Sequence, residues 1–218
     1  MSTNTTSRPG VWLGRGRSIL ATRPLMGWRT VDLLTVAFLG VAFGVLYWAW
    51  GLAYQAPANG LAAIFPPLQG ITGAPWLMAG VIGGLVVRRP GAALFCELIA
   101  AVVEAIPGST WGAATLVSGT LQGLGAELAF ALLGYAAFGL GAAVLAGAMS
   151  APLEAVYEWF VYWTDWGMGY KLAYAVILTV AGAVIAGGVG WLLTRALARA
   201  GALNAFPPGQ EVREAHAV

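Results

Sequence analysis

The sequence predicts an all-α integral membrane protein: a bundle of six transmembrane helices with both termini cytoplasmic. Three observations predict it. First, 59% of the 218 residues are hydrophobic and only 9% are charged, and mean hydropathy is +0.77. A soluble domain carries roughly 25% charged residues, and a chain with so few could not cover a surface facing water. Second, the apolar residues fall into successive runs near the ~20 residues a helix needs to cross a bilayer. Third, the arginines collect at alternate ends of those runs, as the positive-inside rule requires of cytoplasmic ends. The localisation expected from this pattern is the cell membrane, multi-pass.

Residues 1–28 carry Arg8, Arg15, Arg17 and Arg23 with no acidic residue among them. They lack a continuous apolar core and a small-residue cleavage pattern, so they read as a flexible basic cytoplasmic tail rather than a removable signal. Nucleic-acid binding is the weaker reading, because membrane follows at once after Arg29. Residues 29–200 form the membrane domain. Its first run, Thr30 to Gly51, ends in Tyr47, Trp48 and Trp50, aromatics suited to the outer headgroup region, and 52–60 then reads as an external loop.

The second run, Leu61 to Val87, contains Pro66, Pro67 and Pro75. Proline removes a backbone donor, which lipid tolerates only beside protein or a wet cavity, so a broken helix near a pocket is expected. Arg88-Arg89-Pro90-Gly91 turns the chain on the inner side. The third run, Ala92 to Ile106, is short and stops at Pro107-Gly108. The fourth runs from Trp111 to about Tyr135 and the fifth from Phe138 to Phe160. The segment 161–170 reads as an external interfacial loop, and the sixth run, Lys171 to Leu197, closes on Arg195 and Arg199. Residues 201–218 have no apolar period and read as a flexible cytoplasmic tail.

Carboxylates inside these runs are the sharpest chemical signal, because a charge there costs roughly 2.5–3.5 kcal/mol on insertion scales unless paired or wet. Glu97 and Glu104 share one face of the third segment, Glu127 lies in the fourth and Glu154 in the fifth. Counting about 1.5 Å per residue puts Glu104 and Glu154 at matching outer depth and Gln122 near the midplane. Either these acids meet a cation, or Glu97 and Glu127 are interhelical hydrogen-bond partners and Glu104 and Glu154 wetted helix ends. Trp48, Trp111, Tyr54, Trp159 and Trp163 lie near the outer level. As a group they suit an interfacial belt, while any that face inward would make an aromatic box for a flat cation. Gly40 and Gly44 form a GxxxG pair, suited to packing within the chain or to docking a separate membrane subunit.

Enzyme chemistry finds little support. His216, the only histidine, sits in the polar tail, and Cys96, the only cysteine, lies in an apolar run where it reads as packing. Serine–histidine catalysis and histidine or cysteine metal sites lack their residues, so neither catalysis, a resident metal nor a cofactor is expected. No GxxxxGK[ST] loop occurs, so ATP would have to be used by another chain.

Three strings, FGVLYWAWG at Phe43 to Gly51, RRPGAALFCELIAAVVE at Arg88 to Glu104 and LQGLGAELAFALLGY at Leu121 to Tyr135, resemble the YkoE-like family. The resemblance covers about Arg29 to Arg199. Its members are substrate-binding S components of energy-coupling factor (ECF) importers, associated with thiamine or its hydroxymethylpyrimidine (HMP) precursor. The resemblance implies capture of such a molecule from outside, with a transmembrane coupling subunit and two cytosolic ATPases as partners. One departure is Ala136-Ala137-Phe138-Gly139, where basic residues are expected. On this reading Glu104, Glu154, Gln122 and nearby aromatics hold the ligand and the Gly40–Gly44 face meets the coupling subunit. Two rivals stand beside it: a proton-coupled carrier working alone through Glu97 and Glu127, and a membrane scaffold without transport.

Overall fold

A computed structural model describes residues 26–216, whose regular structure is entirely helical. Helix α1 spans Thr30–Ala53 and α2 spans Gln55–Ile64. A 3₁₀ stretch, Pro66–Leu77, then leads into α3, Met78–Val87. Helices α4 (Ala92–Ala105), α5 (Ala114–Leu132) and α6 (Leu140–Val161) follow. The next long helix is α7 (Met168–Ala181), a π segment (Gly182–Val189) and α8 (Gly190–Arg199) in succession, and α9 spans Pro207–His216.

Four stretches are long and apolar enough to cross a membrane: Thr30–Ala53, Pro66–Val87, Leu140–Val161 and Met168–Arg199. Helices α4 and α5 lie between them in sequence without reaching that combined length and apolarity. The second stretch is the centre of the bundle. Every residue of α3 from Ala79 to Val87 is buried, which fits a helix that is apolar all round. Outward faces such as Leu34, Phe38 and Leu46 of α1 and Val176 and Val180 of α7 remain exposed, as lipid-facing residues do.

Small residues set the spacing. A Cβ on Gly40 would lie 2.6 Å from Cβ of Ile99, and one on Gly44 would lie 2.5 Å from Cβ of Val103. The GxxxG face of α1 is therefore filled by α4 of the same chain, which corrects the expectation that it docks a partner. On the other side, α6 and the π segment touch backbone to backbone, with a Cβ on Gly147 only 2.3 Å from the carbonyl oxygen of Gly182. Cys96 is fully buried and packs beneath Gly83, as expected of a small apolar side chain.

Two expectations for the connections change. Residues 52–60 are the end of α1 and most of α2, because Pro57 falls in the first turn of α2, where its missing N–H costs nothing. Residues 201–216 are folded rather than loose: Leu203 and Phe206 are buried, and Glu211 on α9 pairs with Arg88 at 2.6 Å and Arg195 at 3.4 Å. At the other described end, buried Asp32 pairs with Arg29 at 2.6 Å and Arg89 at 2.5 Å. Both ends of the described chain thus meet at the Arg88–Arg89 turn, on one side of the bundle. Arg8, Arg15, Arg17 and Arg23 lie outside the described residues.

Candidate functional site

A cavity of about 240 Å³ opens among the helices. Each wall follows from helical periodicity. On α1 the inward stripe Val36, Gly40, Phe43, Gly44 and Tyr47 continues to Gly51 and Tyr54 at the cavity. On α4 the two-turn spacing delivers Glu97 and Glu104 to the same wall, on α5 it delivers Thr115, Ser118, Gly119 and Gln122, and on α6 it delivers Glu154 and Glu158. The proline-rich 3₁₀ stretch supplies Gln69, Thr72, Gly73 and Trp76. Tyr162 and Trp163, after α6, and Tyr174 of α7 complete the remaining side.

Seven of the ten binding residues expected from sequence line this cavity: Glu97, Glu104, Gln122, Glu154, Tyr54, Trp111 and Trp163. Three do not, which corrects their assignment. Trp48 follows Tyr47, and one residue further round a helix turns a side chain by about 100° off the inward stripe. Trp159 is displaced from Glu158 in the same way, and its buried Nε1 has no hydrogen-bond partner among the described residues. Glu127 faces the start of α4. It accepts the backbone N–H groups of Gly91 at 2.7 Å and Ala93 at 3.0 Å and the Tyr135 hydroxyl, so it closes a helix N-terminus whose dipole favours a carboxylate.

The acids of the cavity are held by neutral donors. Trp76 Nε1 donates to Glu104 Oε1 at 2.9 Å, and the Gly80 N–H donates to Glu97 Oε2 at 2.6 Å. The Ala79 N–H donates to the Tyr47 hydroxyl at 2.8 Å, and the Tyr174 hydroxyl donates to Glu158. Glu97 Oε1 and Glu154 Oε2 are buried without a partner among the described residues. No described lysine or arginine lines the cavity. Burial and the neighbouring Tyr157 and Glu158 push the Tyr162 phenol above its ordinary range, so it stays a neutral hydroxyl at the rim.

Aromatic rings gather at two places. Tyr54, Trp76 and Trp111 form a triangle with centroids 5.3 Å apart on each side, against Glu104. Gly51 lies beside that triangle, where a Cβ would make ordinary van der Waals contact with Trp111 at 3.6 Å and with Trp76 and Glu104 at 3.9 Å. Trp163 stacks on Trp166 at 4.5 Å and tilts against Tyr174 at 5.7 Å, on the Glu158 side. Buried carboxylates without a cationic partner, beside ring faces, favour a positively charged flat ligand. Among the described residues no group of three or more His, Cys, Asp or Glu is placed to hold a metal ion.

Sequence reasoning missed Trp76, Gln69 and Thr72, which the irregular proline segment hid from any helical period. It also missed Glu158, although a second glutamate one turn after Glu154 was the available signal.

Comparison with known proteins gives the family. Residues 31–153, more than half of the chain, match the family "ABC-type cobalt transport system, permease component". The protein named HMP/thiamine permease protein YkoE of Bacillus subtilis (strain 168) is 33% identical over 193 residues, covering 87% of this chain and 94% of the relative. A solved structure described as the crystal structure of an S-component of an ECF transporter matches with a TM-score of 0.76 and 33% identity. That match covers 87% of this chain and 95% of the other.

Proposed function

The chain belongs to the YkoE-like S components of ECF transporters, integral membrane proteins of ABC-type import systems, and we propose that it captures thiamine or its HMP precursor at the outer face. The observation that carries the reading is one cavity lined by Glu97, Glu104, Glu154 and Glu158, with the Tyr54–Trp76–Trp111 triangle against Glu104. Its size suits one small molecule. Thiamine carries a thiazolium cation for carboxylates and ring faces, and an aminopyrimidine whose donors and acceptors match the amides of Gln69 and Gln122. The protein itself binds and presents the ligand without changing it. Release and ATP use belong to a transmembrane coupling subunit and two cytosolic ATPases.

In the bilayer, six segments cross: α1, the 3₁₀–α3 unit, α4, α5, α6 and the α7–π–α8 unit. The arginine-bearing end is cytoplasmic and holds both termini, which leaves α2 and 162–167 outside. A proton relay through Glu97 and Glu127 is disfavoured, because Glu127 is engaged by the N-terminus of α4.

Calorimetry on the purified protein tests the reading, with thiamine or HMP expected to bind at micromolar concentration or below. Failure of both to bind overturns it. In Glu104→Gln the amide oxygen can still accept from Trp76, so the charge alone is lost. Thiamine affinity should fall about tenfold, a step of about 1.4 kcal/mol, and HMP affinity much less. Equal losses would remove the electrostatic role of Glu104.

A further inference from the structure

We infer that the cavity admits only the unphosphorylated ligand and rejects its phosphate esters, an inference that rests on the thiamine reading above and assigns the ligand's charge class. The argument concerns where an anion could be held. Proteins bind phosphate with Arg or Lys side chains or with the free N–H groups of a helix N-terminus. Two helix N-termini reach the cavity, the starts of α3 and α5, and the chain has already filled both with its own groups. At α5 the N–H groups of Ala114, Thr115 and Leu116 are taken by the carbonyl oxygens of Trp111, Gly112 and Ala113 at 3.1–3.3 Å. The Gly80 N–H is taken by Glu97 Oε2 at 2.6 Å and the Ala79 N–H by the Tyr47 hydroxyl at 2.8 Å. A third terminus, at α4, is closed by Glu127.

Cationic side chains do not compensate. Of the six described arginines, Arg29, Arg88, Arg89 and Arg195 are engaged with Asp32 and Glu211 at the far end of the bundle and Arg213 donates to the Asn204 carbonyl oxygen, and neither these nor Arg199 nor Lys171 lines the cavity. What faces the ligand is four carboxyl groups, of which Glu97, Glu104 and Glu154 are 5% exposed or less. Glu97 Oε1 and Glu154 Oε2 are buried with no partner among the described residues. A thiazolium relieves that concentration of acid. A phosphate on the same molecule adds negative charge to it, and like-charge contacts of that kind lower affinity by about tenfold or more each.

Competition calorimetry on the purified full chain decides the matter, with thiamine, thiamine monophosphate and thiamine diphosphate as probes. The expected result is tight thiamine binding, with the monophosphate weaker by about 100-fold or more and the diphosphate weaker still. In Glu154→Gln/Glu158→Gln, whose fold is checked by its melting profile, the ratio between thiamine and the monophosphate should shrink by about tenfold or more. A merely structural role for these residues would weaken both ligands alike and leave the ratio in place, overturning the assignment. Thiamine and its monophosphate binding the wild-type chain within about tenfold of each other would overturn the exclusion and leave the thiamine reading standing. Binding of no thiamine form would overturn that reading, and the inference with it.

Discussion

Glu127 offers the sharpest separation between an acid that serves the ligand and one that serves the fold. Its Oε1 accepts the Gly91 N–H at 2.7 Å and the Tyr135 hydroxyl, and its Oε2 accepts the Ala93 N–H at 3.0 Å and the Leu94 N–H at 3.4 Å. In Glu127→Gln one of these acceptors becomes an NH₂ group facing N–H donors, and the charge at the helix N-terminus is lost. A lost hydrogen bond to a charged group costs about 1.5–3 kcal/mol and the helix-dipole contribution about 0.3–1 kcal/mol, so the variant should lose about 2–4 kcal/mol. For a chain of this size the thermal midpoint in detergent should fall by about 5–15 °C. Calorimetry at a temperature where the variant is still folded should give thiamine affinity within about twofold of wild type. An unchanged midpoint together with lost affinity would refute the reasoning and return Glu127 to the ligand.

Other substitutions probe the remaining contacts. Gly44→Ala puts a methyl 2.5 Å from Val103 Cβ and 2.6 Å from the Ala100 carbonyl oxygen, and should cost about 1–3 kcal/mol in chemical unfolding. Gly60→Ala, with nothing within 4 Å, serves as the control and should change little. Trp111→Ala should weaken thiamine binding about tenfold, through loss of a ring face beside the cation, while Trp48→Ala should leave it unchanged in the same fluorescence titration. Glu211→Ala should loosen α9 by about 1.5–3 kcal/mol, seen as faster proteolysis at 201–206 with ligand affinity intact.

The membrane segments were legible because lipid demands long apolar runs and charges mark their ends. Thr30 to Gly51 and Ala92 to Ile106 correspond to α1 and α4 within a few residues, and the prolines between Leu61 and Val87 did announce a broken element. Helix α2 was hidden because Pro57, Asn59 and Gly60 imitate a loop. Helix α9 was hidden because its order comes from Leu203, Phe206 and the Glu211 ion pairs, tertiary contacts that a local pattern does not contain. In the cavity, the residue types were legible but direction was not. Glu104, Gln122 and Glu154 lay on inward stripes, whereas Trp48 and Trp159 had suitable chemistry and the wrong azimuth. Glu127 gave the same sequence signal as Glu97, since a buried acid costs the same to place whether a ligand or a helix N-terminus neutralises it.

A structure of the purified protein with thiamine bound tests the central claim most directly. The account places the ligand's density between Glu104 and Glu154, with the thiazolium ring bounded by Trp76 and Trp111. Density at any other place, such as against Trp48 or beside Glu127, would contradict it.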